Sequence, residues 1–302
     1  MLESTPPPPV SADESAHLRR VAEAAARSVG DLLRSGFRSG ARTETKRNHH
    51  DLVTEYDRAS EERLTAALGD AVPDSRFHAE EGGAHGAGRV EWIIDPIDGT
   101  SNFAHGVAFF CVSLAAAVDG EVVAGVVYDP VADTLFAAEA AGAFLNGEPL
   151  PALDRTIAEK RASVMTDFPS AEDLATDGSA ALDGFAELIS TYSTVRRPVS
   201  GALELAHVAA GWTNIALGFD TNPWDVAAGA YLVRQAGGTY TGYRYDDGPA
   251  AAAGAAPRLQ RSVHEAPTYV AHGPGVDATT ARDVVERLMA QRRAAGHRGK
   301  AR

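Results

Sequence analysis

A chain of 302 residues has room for about two packed units of ~150 residues each, and 44% hydrophobic with 23% charged residues excludes wholesale disorder. Forty-one acidic against 28 basic residues leave a formal charge of −13, which repels phosphate polymers and argues against a nucleic-acid binder. The one cysteine, Cys111, excludes an internal disulfide, no Cys/His zinc spacing is present, and the longest apolar run, Val107–Val118, is shorter than the ~20 residues of a membrane helix.

Met1–Thr5 followed by four prolines lacks the basic, apolar and cleavage regions of a signal peptide, so a cytoplasmic protein without membrane contact is expected. Residues 1–11 read as a disordered lead, stiffened by Pro6–Pro9. Ser11 and Glu14 form a capping-box pattern, and Leu18, Val21, Ala25, Val29, Leu32 and Leu33 lie on one stripe of a helix running toward Gly40. His50–Glu55 predicts a short strand and Leu64 with Leu68 a second helix. Arg76–Glu80 predicts a strand entering a glycine-rich loop, Gly82–Gly88. With no G-x-G-x-x-G between a strand and a helix, that loop is not a dinucleotide site. Val90–Ile94, Val107–Val118, Val122–Tyr128, Thr134–Ala138 and Ala143–Leu145 read as strands, and Asp119-Gly120 and Asn146-Gly147 as tight hairpin turns. Residues 12–155 therefore read as helices on an antiparallel sheet.

Beyond Ala162 strands alternate with helices. Strands are expected at Ala162–Asp167, Tyr192–Val199 and Asn214–Leu217, and helices at Ala171–Ser190, Ala202–Gly211, Trp224–Ala236 and Ala278–Ala295, which makes residues 156–296 an α/β half. Pro249–Pro257 reads as a surface loop. The basic end, Arg292–Arg302, reads as a frayed, solvated tail, with residues 297–302 disordered.

The segment Trp92–Phe103 carries the chemistry. Asp95 and Asp98 stand where a buried strand ends, Pro96 stiffens the link and Gly99 allows a sharp turn. A helical turn starting there aims the N–H groups of Gly99 and Thr100 outward as an anion cradle. Acids beside an anion cradle call for a cation between them, and hard oxygen ligands without Cys or His suit Mg²⁺. Glu80, Glu81, Asp51 and Asp225 also lie at element boundaries, where binding residues collect. Taken singly, each has a blander reading: Asp57 and Asp225 as helix caps, Glu80-Glu81 as a solvated face, Asp95 and Asp98 as turn formers. His49-His50 and His78 flank the segment and read as exposed polar residues, and Trp92 and Trp224 as packing.

Together these segments resemble the inositol monophosphatase family of Mg²⁺-dependent, lithium-sensitive phosphatases. The resemblance rests on D-P-x-D-G-T-x-x-F at Asp95–Phe103, and on W-D-x-A-A-G at Trp224–Gly229 followed by Ala236-Gly237-Gly238. D-L-V-T-x-x-D at Asp51–Asp57, Glu80-Glu81, and the segments Gly125–Pro130 and Gly142–Gly147 match as well, so the likeness spans Leu18 to Gly238. It implies a layered αβαβα sandwich, a homodimer, and Mg²⁺-dependent hydrolysis of a small phosphorylated metabolite by activated water. Glu80, Asp95 and the carbonyl of Ile97 would hold one Mg²⁺, and Asp95, Asp98 and Asp225 a second. Glu81 would serve a third. Thr100, hydrogen-bonded to Asp51, would orient and deprotonate the water together with Glu80, and Gly99 and Thr100 would take phosphate oxygens through their N–H groups.

The substrate pocket departs from the family pattern. Gly218 stands where relatives carry a glutamate for ring hydroxyls, with Asp220 close by, and the pocket segment reads Ser200, Gly201, Ala202, Leu203, Glu204. A polyol or sugar monophosphate of the inositol monophosphate kind is the leading substrate. Activity on a 3′(2′),5′-bisphosphate nucleotide, fructose 1,6-bisphosphate or histidinol phosphate is the alternative. From another class, a catalytically silent module that binds a phosphorylated metabolite shares the same residues.

Overall fold

The computed structural model describes residues 9–40, 43–45, 52–245 and 263–299. Asp51, His49, His50 and the expected loop Pro249–Pro257 lie outside the described residues, as do residues 1–8 and 300–302. Among the described residues no helix is long and apolar enough to cross a membrane.

Helices α1 (Ala12–Ser28) and α2 (Gly30–Gly36) replace the single helix expected toward Gly40. The break falls at Val29-Gly30, a β-branched residue followed by the residue that costs a helix most after proline. Ser11 caps α1 by accepting the Glu14 N–H at 3.1 Å, whereas the Glu14 carboxylate pairs with Arg89 and leaves the capping box unclosed. Val10 is buried in the core, which shortens the expected disordered lead at its end.

Strands β1 (Thr43–Thr45) and β2 (Leu52–Thr54) form an antiparallel ribbon, and α3 (Glu55–Ala71) starts from a capping box between Thr54 and Asp57. The large sheet then takes β3 (Ser75–Ala79), β4 (Gly83–Gly86), β5 (Val90–Asp98), β6 (Cys111–Val118), β7 (Glu121–Asp129), β8 (Thr134–Glu139), β9 (Gly142–Leu145) and β10 (Glu148–Pro149). Helix α4 (Thr100–His105) interrupts the run between β5 and β6. The strand order is β10-β9-β8-β7-β6-β5-β3-β4. Two features correct the sequence reading. The glycine-rich stretch is the edge strand β4, paired antiparallel to β3, and β3 runs parallel to β5, so the sheet is mixed. The turns at Asp119-Gly120 and Asn146-Gly147 do have positive φ at both positions.

The second half contains β11 (Ser163–Thr166), α5 (Ala171–Asp177), α6 (Ser179–Thr191), β12 (Thr194–Arg196) and α7 (Gly201–Ala209). It continues through β13 (Ile215–Gly218), α8 (Pro223–Gln235), β14 (Thr239–Tyr243), β15 (Thr268–His272) and α9 (Thr279–Ala294). Gly178, at φ 58° and ψ −130°, cuts the helix expected over Ala171–Ser190 into α5 and α6. The small sheet is ordered β12-β11-β13-β15-β14, with β11 parallel to both its neighbours and β15 antiparallel to both of its own.

Three cores define five layers. Helices α1 to α3 pack on the outer face of the large sheet. Helices α7 and α8 fill the space between the sheets. Helices α6 and α9 cover the far face of the small sheet. Because α7 and α8 meet sheet on both sides, their residues are apolar nearly all round, as a fully enclosed helix requires.

Arg292 overturns the expectation of a solvated tail. It sits in the last turn of α9 at 1% exposure and donates to Asp173 at 2.6 Å, Asp177 at 2.6 Å and Asp220 at 2.9 Å, with its guanidinium over the Phe219 ring. Removing it leaves three largely buried carboxylates against each other. Arg292→Met is therefore expected to cost about 3–5 kcal/mol in urea unfolding; an unchanged midpoint would show that the network adds no net stability.

Candidate metal centre

The site begins with an irregularity in β5. Asp95 pairs with Ser113 and Asp98 with Cys111, so three steps on β5 are matched by two on β6. Residues three apart in a regular strand face opposite sides; the bulge brings both carboxylates to one side. Pro96 falls within the bulge, where no ladder N–H is needed. Gly99 then turns the chain into α4 at φ 95°, where a Cβ would meet the carbonyls of Phe109 at 3.1 Å and Val199 at 3.2 Å. No other residue fits that corner.

Each acid is held by an element of its own. Asp98 Oδ2 accepts from Ser200 Oγ at 2.5 Å and from the Ala202 N–H at 2.8 Å, so a carboxylate of the large sheet sits on the N-terminus of α7. Asp225 lies in the first turn of α8 and accepts from the Asn222 N–H at 2.7 Å and Nδ2 at 3.2 Å, with Pro223 at the helix start. Asp95 Oδ1 accepts the Ile97 N–H at 3.0 Å. Glu80 extends the β3–β5 ladder through its N–H to the Ile94 carbonyl at 3.1 Å, and its charge helps to raise Asp95.

Sequence reasoning missed two supports. Glu61 on α3 is buried and accepts the N–H groups of Glu81 at 2.8 Å and Gly82 at 2.6 Å, fixing the turn that presents Glu80 and Glu81. Asp57 accepts Thr54 N–H and Oγ1 on Oδ2, at 2.7 and 2.6 Å, and Thr100 Oγ1 on Oδ1 at 3.1 Å. Thr100 is thus bonded to Asp57, while the expected bond to Asp51 lies outside the described residues. The signal for Glu61 was a glutamate amid an otherwise ordinary helix; that for Asp57 was present, but read as a cap, which it also is.

Asp95, Asp98 and Asp225 each offer an oxygen, and these oxygens lie within 4.8 Å of one another, the one such group among the described residues. Two carboxylates ~4 Å apart repel by about 4 kcal/mol at an effective dielectric of ~20. Burial, then the charges of Glu80, Asp98 and Asp225, hold Asp95 well above the usual carboxylate range. Burial raises Asp98 as well, against the opposing hydrogen bonds of Ser200 and Ala202. Asp57 is pushed up to about 6, by burial first, with Thr54 opposing and Glu80 and Glu81 reinforcing. A donor set of oxygens alone, compressed and short of positive charge, fits a small hard divalent cation.

The expected substrate residues fall in three places. Ser200 and Ala202 serve Asp98, and Gly201 lies between them at the start of α7. Glu204, expected at the pocket, is 1% exposed, and burial holds it well above the usual carboxylate range. Asp220 turns to Arg292 Nη1 at 2.9 Å and Tyr245 Oη at 2.6 Å, which removes it from the role of a pocket acid. Gly218 has no room for a larger side chain, since a Cβ would stand 2.8 Å from Tyr269 Cε1. His78 packs edge-on against Trp224, next to the acid on α8. Val199, at φ 62°, is a β-branched residue in the left-handed region beside the site.

The sequence profile of the Inositol monophosphatase family matches residues 14–289. The chain is 40% identical to the Nus factor SuhB of Pseudomonas aeruginosa over 227 residues, 72% of this chain and 82% of that one. It is 34% identical to a fructose-1,6-bisphosphatase/inositol-1-monophosphatase of Aquifex aeolicus, over 73% of this chain and 84% of that one. The crystal structure of the extragenic suppressor protein suhB of Bartonella henselae superposes with a TM-score of 0.74 at 29% identity, covering 89% of this chain and 97% of that one.

Because Asp57, Asp95 and Asp98 have raised folded-state pKa values, their ionised forms destabilise the metal-free fold. For Asp57 that loss develops as pH rises from about 4 through about 6. Protons and cations compete for the same oxygens. The rise in Tm on adding Mg²⁺ is therefore expected to be larger near pH 8 than near pH 5. Equal rises at both would place cation binding elsewhere.

Proposed function

Since the chain belongs to the Inositol monophosphatase family, we propose that it is a Mg²⁺-dependent phosphomonoesterase acting on a small polyol or sugar monophosphate. The convergence of Asp95, Asp98 and Asp225 within 4.8 Å carries this reading. Asp95 would be shared between two cations, one completed by Glu80 and the Ile97 carbonyl, the other by Asp98 and Asp225, with Glu81 available to a third. When bound, such cations neutralise phosphoryl oxygens and lower the pKa of water.

The remaining chemistry belongs to the chain's own groups. The Thr100 hydroxyl has two acceptors for its one hydrogen, Asp57 Oδ1 at 3.1 Å and the Ile97 carbonyl at 3.0 Å; turned to Asp57, it leaves its lone pairs for a water proton. As Thr100 Oγ1 takes that proton, Asp57 Oδ1 receives the one Thr100 gives up. The N–H groups of Gly99 and Thr100, at the start of α4, receive phosphate oxygens. Ser200 and Ala202 hold Asp98 in one rotamer, and Glu61 holds the turn that bears Glu80; a site kept this rigid needs little reorganisation during reaction. A homodimer is part of the same proposal and rests on the family.

The name of the Aquifex aeolicus relative supports both inositol monophosphate and fructose 1,6-bisphosphate as test substrates. Likeness to a protein named a Nus factor favours a second reading, in which the chain binds a metabolite or partner without turning it over. Phosphate release from a panel of sugar, polyol, nucleotide and amino-alcohol phosphates, with and without Mg²⁺, separates them. Mg²⁺-dependent release is expected, with Asp98→Asn losing more than about tenfold in kcat and Thr100→Ala a smaller factor. No release from any monoester, alongside measurable ligand binding, would establish the silent module instead.

A further inference from the structure

The last turn of α9 and the residues after it form one wall of a cleft of about 490 Å³. Its charge opposes that of the molecule. In a chain of net charge −13, three guanidiniums and an imidazole, from Arg244, Arg293, Arg298 and His297, line the cleft, with Glu265 the one carboxylate among the described lining residues. Arg244 meets Glu265 at 3.5 Å, longer than the ~2.7–2.9 Å of a strong charge-assisted bond. Arg293 donates Nε and Nη2 to the backbone carbonyl of Arg244 at 3.2 and 2.9 Å, which fixes its guanidinium against the end of the segment that bears Arg244. Beneath it, Asp173, Asp177 and Asp220 are engaged by Arg292, and Tyr245 and His297 are also held on Asp220, so the groups of the cleft suited to an anion are its arginines.

Clustered guanidiniums repel one another unless an anion lies between them, and their planar forks match phosphate oxygens. The volume suits a metabolite-sized ligand. Arg293, His297 and Arg298 fall beyond the stretch 14–289 that matches the family, so this wall stands outside the shared frame. Asn222 lines the cleft and donates Nδ2 to Asp225 at 3.2 Å, which places the cleft against the metal centre without being part of it.

We propose that this cleft is a second anion site, taking a phosphate-bearing small molecule. The proposal stands whether or not the acid cluster hydrolyses an ester. The test uses the full chain stripped of metal with a chelator and dialysed, so that the acid cluster repels anions, and titrated calorimetrically with inorganic pyrophosphate at low ionic strength. Saturable binding is expected, unchanged in Asp98→Asn and weakened about fivefold or more in at least one of Arg244→Ala and Arg298→Ala. Urea midpoints of the variants monitor their folding. The proposal is overturned if binding does not saturate below about 10 mM, or if Asp98→Asn weakens it while both arginine variants leave it intact.

Discussion

Negative charge gathered where water is scarce is the constraint around which this molecule is built, and it appears twice. On the far side of the small sheet, Asp173, Asp177 and Asp220 surround one guanidinium, that of Arg292. Between the sheets, Asp95, Asp98 and Asp225 converge with Glu80 beside them. The first cluster has a cation of the chain at its centre. In the second, burial first and then neighbouring carboxylates raise Asp95 and Asp98, which favours a small cation among them.

Holding repelling carboxylates together requires a stiff frame. Asp98 belongs to the large sheet but is bonded to the N-terminus of α7, and Asp225 belongs to α8, which packs against α7 between the sheets. Ser113 on β6 donates to the Trp224 carbonyl at 3.1 Å and ties the start of α8 back to the large sheet. The acids thus cannot separate without parting the middle layer from the sheet beside it. The same frame supplies α4 through the left-handed corner at Gly99, so the anion-facing N–H groups and the cation-seeking oxygens share one rigid bend.

Much of this was legible before any coordinates. Hairpin turns at Asp119-Gly120 and Asn146-Gly147 follow from residues that tolerate positive φ, and most strands and helices follow from apolar periodicity. The elements that escaped were those whose pattern is weak. Strand β4 is mostly glycine and alanine, and β14 and β15 flank a stretch in which composition overwhelms periodicity. Arg292 was misread because a basic C-terminal run is usually solvated. Only the position of α9 against α5 and the loop after β13 shows three carboxylates waiting for it. Asp57 was misread for the opposite reason, since its capping of α3 is real and its second oxygen, facing Thr100, is invisible along the chain.

The sequence by itself determined the family, through the local motifs at Asp95–Phe103 and Trp224–Gly229, and the resemblance carried by those motifs implied the layered αβαβα order. Tertiary structure alone decided which acid bonds to Thr100, that Glu204 is buried and Asp220 turned away, that Glu61 holds the turn before β4, and that arginines from two distant segments line one cleft. These are pairings across tens to hundreds of residues. Their strength depends on distance and burial in the folded chain, quantities that no spacing along the sequence contains.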